Sequence, residues 1–368
     1  MNMKEFFAKE SFLDAPLIST VSLKQKSLVD KLVLYMAPVI LLMGLLVSWL
    51  ADPEDLVYTT AWHTLLVQVL AIYLPVSLYM RLSGGRATFG MRRISAFEAV
   101  LCFILGIAYS SFSDALTSLL YLLYKALGID PLLSTLVPRT GGGWRVAALA
   151  LLGVVLPAYT DELFFRGLVL HAWQARGKRR AILHAACLSA LFAFSPGALP
   201  VTLLTGLLFG MLVVQTGSCY ASISAHIGMG AISLYSLCTL SADGIADTAT
   251  YFPANAWELA APLLLSLFVG ALVCFSALRA LGRIRRIREQ AAEQGGFPEK
   301  KFRFFDAFEK TPELAHLQEM LKKLEDDTLF PAGKRGKRPY ASGKSVVTAT
   351  YLLLIGVNIY LVCSYFIA

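Results

Sequence analysis

The sequence is poor in charged side chains. Only 16% of its 368 residues are Asp, Glu, Lys or Arg, whereas 57% are hydrophobic. Soluble domains carry about 25% charged residues, and so few polar groups could not cover the surface of a soluble globule of this length. The shortage of charge therefore excludes a soluble enzyme or a soluble binding domain, and it indicates an integral, multi-pass membrane protein.

Cysteine and histidine are also scarce, with six and five residues respectively. Every cysteine falls in an apolar segment, where a disulfide framework has no use, and the CxxC spacing of a structural metal site is absent. No HExxH sequence occurs, and only Asp161, Glu162 and His226 could converge on a metal, so we expect neither a metal nor another cofactor. The N-terminal region lacks a signal-peptide pattern, which predicts that the first spanning segment is retained.

Long apolar runs are abundant instead. A spanning helix needs about 20 mostly apolar residues, and this measure selects about nine segments, with a range of eight to ten. The sequence therefore predicts an all-α fold, a polytopic transmembrane helical bundle. The nine segments are 32–51, 57–80, 97–125, 145–172, 181–196, 199–216, 218–240, 257–280 and 345–367.

Basic residues alternate between the predicted loops. They cluster before the first span and in 81–93, 176–180 and 279–288, whereas 52–55 and 241–256 are acidic without a base. Because short cytoplasmic loops carry an excess of Lys and Arg, we expect a cytoplasmic N-terminus and an outside C-terminus, with the plasma membrane as the expected location. The net charge of +8 then indicates attraction to anionic membrane lipids rather than binding to nucleic acid.

One polar interruption, 281–343, is predicted as a basic cytoplasmic insert. Leucines at 314, 317, 321 and 324 recur at helical spacing and predict an amphipathic helix within it. Such a helix could lie on the membrane surface or bind a partner, and simple packing on the membrane domain is the favoured interpretation. The predicted organisation is 1–30 as a cytoplasmic amphipathic arm, 31–140 as N-terminal transmembrane helices, 141–240 as the motif-bearing core, 241–280 as an outer loop and transmembrane helix, 281–343 as the insert, and 344–368 as the C-terminal transmembrane helix.

Three charged side chains, Asp161, Glu162 and Arg166, interrupt the apolar segment 145–172. A charge near the centre of a spanning helix costs about 2.5–3.5 kcal/mol on insertion scales, so such residues persist where they pair or have a function. Glu162 and Arg166 are four residues apart and share a helix face, with the acid in the better, N-terminal position. Asp161 is turned by about 100° from Glu162. The pattern predicts an ion pair between Glu162 and Arg166 and leaves one carboxylate without a partner.

His226 is expected at a similar depth in the membrane. Glu162 lies about 16 Å from the cytoplasmic end of its span and His226 about 12 Å. Pro157, one turn before Asp161, should kink its helix and open backbone carbonyls. A carboxylate that takes a proton from water, near an imidazole that hydrogen-bonds an oxyanion, is the minimum needed to hydrolyse an amide. The histidines at 171 and 184, by contrast, are expected to face lipid headgroups.

Four short runs in order resemble the CPBP family, which includes type II CAAX prenyl endopeptidases and bacteriocin-processing or immunity proteins. The resemblance covers about 145–240 and implies a helical, glutamate-dependent intramembrane protease with a chamber open to the cytoplasm. It also implies a membrane-associated peptide or a prenylated protein as substrate. The runs are Asp161-Glu162-x-x-x-Arg166-Gly167, Ala190 to Phe194, Gly206 to Gly210, and Thr216-Gly217-Ser218 with Ala225-His226. The spacing of Gly206 and Gly210 also predicts a seam for close helix packing.

The resemblance is incomplete where the chemistry lies. The family's first motif opens with two glutamates, and Asp161 stands in the first place. Its second motif is Phe-x-x-x-His, and counting from Phe192 puts Pro196 at the histidine. Its third motif, His-x-x-x-Asn or Asp, keeps His226 but ends on Gly230.

Two functions therefore remain open. The first is an endopeptidase with Asp161 as the general base, Glu162 paired to Arg166 as support, and His226 as the oxyanion or water-positioning group. The second is a catalytically inactive homologue that binds a membrane peptide, confers bacteriocin immunity or acts as a scaffold. A transporter that relays protons through Asp161 is a third idea, but the repeat that transporters often show is not visible.

Overall fold

The computed structural model of the chain describes residues 23–52, 55–83, 90–126, 143–239, 256–293 and 341–367. These residues form nine helices. In chain order they are α1 (Leu23–Leu50), α2 (Leu56–Leu82), α3 (Ala96–Ala126), α4 (Gly143–Trp173), α5 (Lys178–Phe192), α6 (Leu199–Thr216), α7 (Cys219–Thr239), α8 (Ala256–Glu293) and α9 (Ala341–Ile367).

The predicted all-α fold is confirmed, and each of the nine predicted segments corresponds to one helix. Within the described ranges, seven helices are long and apolar enough to cross a membrane: α1 to α4 and α6 to α8. Helix α5 has 15 residues, fewer than the about 20 that a span needs. Helix α9 has 27 residues and includes the apolar stretch Ser345–Leu361. The protein is thus a multi-pass membrane protein.

Several predicted segments lie outside the described residues, namely most of the N-terminal arm, the acidic loop at 241–255 and the amphipathic helix within the insert. Two predicted segment boundaries differ from the helix ends in the structure. Helix α1 begins at Leu23, inside the predicted arm. Helix α8 continues to Glu293, so its final turns carry the basic tract that sequence reasoning gave to the insert.

Helix α4 is irregular around Pro157. Two π-helical stretches, Ala150–Val155 and Leu163–Leu170, alternate with α-helical turns. Proline has no N–H to donate, so the carbonyl of Leu152, five residues earlier in a π-helical register, needs another donor. The hydroxyl of Thr64 on α2 supplies it at 2.8 Å. A side chain of the neighbouring helix thus satisfies the carbonyl that the proline leaves open, as an apolar environment requires.

Helices α3 and α7 approach closely through small residues. A Cβ built on Gly228 would lie 2.1 Å from the backbone oxygen of Phe103, so only glycine fits there. The hydroxyl of Ser224, one turn earlier, donates to the carbonyl of Ala99 at 2.7 Å. Small residues and interhelical hydrogen bonds are the usual basis of helix association in membranes. This packing fixes the height of His226, which lies between the two contacts.

The predicted glycine seam of α6 is confirmed. A Cβ on Gly206 would lie 2.7 Å from the Cα of Ala186, and a Cβ on Gly210 would lie 3.0 Å from a methyl carbon of Ile182. Both neighbours belong to α5. The short helix α5 is therefore held against α6 along its length.

The two histidines that were expected to face headgroups are buried, and that expectation is wrong. His171 is inaccessible to solvent, and its Nδ1 lies 2.7 Å from the backbone oxygen of Arg166. The ring of His184 stacks on Trp173 with 3.6 Å between centroids, and its Nδ1 lies 2.8 Å from the hydroxyl of Tyr351. Basic flanking loops indicate where a helix ends, but they do not indicate which of its faces other helices cover.

The α3–α7 contact yields a stability prediction. Gly228→Ala should destabilise the protein by about 1–3 kcal/mol, since its methyl group would overlap a backbone oxygen that cannot move independently. Gly44→Ala in α1 is the matched control, because nothing lies within 4 Å of a Cβ built there. It should be neutral or slightly stabilising, as alanine favours a helix. Thermal unfolding in mild detergent measures both, and equal midpoints would contradict the packing.

Candidate functional site

Glu162 lies at the centre of the site. Its side chain is completely buried, and Oε1 accepts a hydrogen bond from Nη1 of Arg166 at 3.1 Å. The predicted ion pair is therefore present. Arg166 is itself 3% exposed, and its guanidinium lies over the rings of Phe165 and Phe209 at 5.8 and 5.6 Å from their centroids. The aromatic faces add a favourable cation–π contact to a buried charge.

His226 contacts the same oxygen from a different helix. Its Nδ1 lies 3.2 Å from Oε1 of Glu162, so one carboxylate oxygen joins α4 to α7. The imidazole side chain is 24% exposed while Glu162 is fully buried, and the ring lies 5.5 Å from that of Phe209. The sequence predicted that His226 acts as the oxyanion or water-positioning group, with Asp161 as the base. In the structure, the carboxylate that His226 contacts is that of Glu162. The contact fixes the Nδ1 edge of the ring.

Asp161 lies close to α2. Its half-buried carboxylate is near enough to Gln68, Glu162, Arg166 and His226 to interact with them electrostatically. Gln68 is the site residue that sequence reasoning missed. Its signal was present, since a glutamine within an apolar span is a polar group at membrane depth, but sequence alone does not show which helix it faces.

The second carboxylate oxygen of Glu162, Oε2, is buried and accepts no hydrogen bond from the described residues. The nearby hydroxyl of Ser222 donates to the backbone oxygen of Cys219 at 3.0 Å. A buried carboxylate oxygen is costly to leave without a donor.

The third-motif position is closed by an apolar side chain. Gly230 lies on α7, one turn after His226, and a Cβ built there would be 2.6 Å from Cγ1 of Val154 on α4. An asparagine or aspartate in this place would clash unless Val154 moved. The glycine is thus matched by close helix packing, and no polar group occupies the room that the family's residue would take.

The second-motif position lies in a short connection. Pro196 begins a single 3₁₀ turn, Pro196–Ala198, between α5 and α6. Phe192, from which the motif is counted, packs edge-on against Phe164 and Phe165 with centroid distances of 5.6 and 5.8 Å. The aromatic part of this motif is therefore built into the core beside Arg166, whereas its histidine is replaced.

No three His, Cys, Asp or Glu side chains form a group that could hold a metal ion within the described part of the chain. The one set that the sequence offered, Asp161, Glu162 and His226, does not form such a group. The contacts at this site are instead a buried ion pair, a carboxylate–imidazole hydrogen bond and a hydrogen bond from the hydroxyl of Thr160 to Oε1 of Gln68.

The segment that carries this site was compared with known proteins. Residues 143–232 match a family model described as type II CAAX prenyl endopeptidase Rce1-like. The matched segment runs from the start of α4 into α7 and contains every motif position discussed above, whereas Gln68 lies outside it. No curated protein and no solved structure matches the chain. The resemblance inferred from the four short runs is confirmed.

The buried ion pair yields a second prediction. Arg166→Met should cost about 3–5 kcal/mol of stability, because it leaves the carboxylate of Glu162 buried without its cation. Combining it with Glu162→Gln should recover most of this loss. The matched control is Arg145→Met, which breaks a pair with Asp55 whose side chains are 27% and 33% exposed. A partly exposed pair contributes at most about 1 kcal/mol, so similar unfolding midpoints for the two single variants in detergent would refute the account.

Proposed function

Since the chain carries an Rce1-like domain at 143–232, we propose that it is an intramembrane endopeptidase, which hydrolyses a peptide bond through carboxylate-activated water. The observation that carries the proposal is the 3.2 Å contact between Nδ1 of His226 and buried Glu162. It holds a catalytically useful imidazole beside a second carboxylate, Asp161, in a membrane-spanning region. Chemistry of this kind needs such groups to be held in place before the substrate binds.

Asp161 acts as the general base in this proposal. Its carboxylate takes a proton from a water molecule as the water oxygen attacks the carbonyl carbon of the scissile bond. His226 donates from Nε2–H to the oxyanion that forms, while Glu162 holds Nδ1. Collapse of the tetrahedral intermediate breaks the C–N bond, and Asp161 returns the proton to the leaving amine. With a doubly protonated ring, His226 and Arg166 balance the charges of the two carboxylates.

The substrate proposed is a membrane-associated or prenylated protein, as the description of the matching family suggests. The distribution of basic loops supports a cytoplasmic N-terminus and an outside C-terminus, which would open the site toward the cytoplasm, and a plasma-membrane location remains part of the proposal.

A non-catalytic role is the second candidate, and one observation favours it. Val154 occupies the room at Gly230, so the third motif has lost a polar group and the space for it. In this alternative the chamber binds a membrane peptide without cleaving it, in bacteriocin immunity or as a scaffold. Glu162 and Arg166 would then be retained because an unpaired charge would destabilise the bundle.

Cleavage by reconstituted protein distinguishes the two candidates. A prenylated peptide with a fluorescent reporter is incubated with proteoliposomes of the wild type, Asp161→Ala, His226→Ala and Asp161→Glu. We expect Asp161→Ala to abolish cleavage and His226→Ala to lower kcat by about 10²–10³, the usual effect of losing an oxyanion donor. Asp161→Glu, which restores the family's residue, should retain activity. Equal rates in the first three proteins would remove the protease proposal and favour the binding role.

The missing third-motif residue yields a further prediction. Gly230→Asn alone should impair folding, because the Cβ would lie 2.6 Å from Val154. Adding Val154→Ala makes room, and adding Pro196→His restores the second motif. If the absence of the two motif side chains slows the wild type, the triple variant should cleave the peptide at least about tenfold faster than the wild type. Val154→Ala alone is the control, and a triple variant no faster than this control would show that these positions do not limit the rate.

A further inference from the structure

Helix α5 ends at membrane depth. Its 15 residues extend over about 22 Å, whereas the hydrocarbon core of a bilayer is about 30 Å thick. The first turn of α5 carries the basic residues Lys178, Arg179 and Arg180, which belong at a membrane surface. The opposite end, at Phe192, therefore lies within the bilayer. The last carbonyl groups of a helix lack partners within it, and in lipid they need donors from elsewhere in the protein.

The chain reverses its direction directly after Phe192. Phe194 is the one non-glycine residue with a positive φ, +46°, in the described ranges. Its N–H donates to the carbonyl of Leu191 at 3.3 Å, which is long for a hydrogen bond of this kind. A left-handed residue other than glycine is costly, and it persists where its surroundings fix it. The segment that carries the second motif therefore depends on contacts from outside its own helix.

Asn358 of α9 supplies such a contact. Its Nδ2 donates to the carbonyl of Leu191 at 3.1 Å and to that of Leu354, one turn earlier in α9, at 2.9 Å. A side-chain amide nitrogen carries two protons, and each proton has one acceptor here, so the NH₂ group faces the two carbonyls. Asn358 is 4% exposed. The amide thus joins the end of α5 to a helix that lies outside the matched segment 143–232.

The carbonyl that Asn358 holds is next to the aromatic side chain of the second motif. Phe192 follows Leu191 directly, and its ring packs edge-on against those of Phe164 and Phe165 on α4. The guanidinium of Arg166 lies over the ring of Phe165. A displacement of the end of α5 would therefore pass through packed aromatic rings to the buried ion pair of the site.

A second polar contact joins α5 and α9 farther from the motif. The hydroxyl of Tyr351 lies 2.8 Å from Nδ1 of His184. Tyr351 precedes Asn358 by about two turns of α9, so both side chains lie on one face of that helix. Tyr351→Phe removes this contact and leaves the bond to the Leu191 carbonyl in place, which makes it a matched comparison.

We propose that Asn358 is a positioning residue, whose amide caps the end of α5 and thereby holds the second-motif segment against α4. The inference rests on the proposed endopeptidase function. It adds α9 to the machinery of a site whose motifs all lie within 143–232. A misplacement of about 1 Å can cost about 10² in rate even when its origin is distant from the reacting groups. Loss of the amide should therefore lower kcat by about 10- to 100-fold and leave KM within about threefold.

The test compares the wild type with Asn358→Leu, Asn358→Ser and Tyr351→Phe. Leucine keeps the approximate shape of asparagine without the amide, and the shorter serine hydroxyl bonds to the Leu354 carbonyl of its own helix. Each protein is reconstituted and assayed for kcat and KM on the prenylated peptide. Hydrogen–deuterium exchange of the segment 190–198 is measured by mass spectrometry in detergent, since this readout of local opening does not depend on cleavage. Monodispersity and wild-type exchange in α3 and α7 confirm that each variant is folded.

We expect exchange in 190–198 to become about three- to tenfold faster in both Asn358 variants, the effect of losing one hydrogen bond, and to stay at the wild-type rate in Tyr351→Phe. The value of kcat should fall in the two Asn358 variants only. Asn358→Ser carries the test alone if Asn358→Leu does not fold.

This exchange pattern without cleavage by any protein supports the anchoring of the second-motif segment by Asn358 and refutes the protease proposal. Equal exchange in the wild type and the Asn358 variants overturns the inference, even if the wild type cleaves the peptide. A wild-type kcat in Asn358 variants whose exchange is faster overturns the positioning role. Equal losses of kcat in Asn358→Leu and Tyr351→Phe overturn it as well.

Discussion

A single carboxylate oxygen, Oε1 of Glu162, joins the two helices that carry the motif residues. It accepts from Arg166 at 3.1 Å within α4 and contacts His226 at 3.2 Å on α7. A carboxylate buried without partners would cost several kcal/mol, and the two contacts offset that cost only in one relative placement of the helices. The orientation of the imidazole, the contact of its ring with Phe209 and the height of α7 beside α4 all depend on this oxygen.

A second constraint is that backbone carbonyls at membrane depth need donors. Pro157 removes one donor from α4, and the adjacent π-helical stretches shift the hydrogen-bond register around it. Helix α2 compensates with Thr64, which donates to the carbonyl of Leu152. Gln68 of the same helix accepts a hydrogen bond from the hydroxyl of Thr160 on the other side of the proline. Two polar side chains of α2 therefore hold α4 on either side of its kink.

The local features of the fold could be predicted from the sequence. Apolar length marked every helix, and the i, i+4 spacing predicted the pair between Glu162 and Arg166, because both signals depend on residues close in the chain. The contacts that complete the site depend on helices distant in sequence. Gln68 and Thr160 are 92 residues apart, and His226 and Glu162 are 64 residues apart. Periodicity does not encode which face of one helix meets another.

The burial of His184 illustrates the same limit. Its position beside a basic loop suggested a side chain that faces the headgroups. Its stacking on Trp173 depends on how α4 and α5 pack together, which the sequence of neither helix indicates. The packing of Val154 against Gly230 is similar, because a glycine in a motif position indicates a lost side chain but not what fills its space. Only the structure shows that the side chain of Val154 fills the space beside Gly230.

The most direct test of the central interaction is a double-mutant cycle between Glu162→Gln and His226→Ala, with unfolding free energies measured in detergent. If one carboxylate oxygen joins α4 to α7, the two substitutions should couple by about 1 kcal/mol or more, within the range found for residues in direct contact. Additivity to within about 0.3–0.5 kcal/mol, the behaviour of independent sites, would show that the two side chains do not interact and would contradict this account of the site.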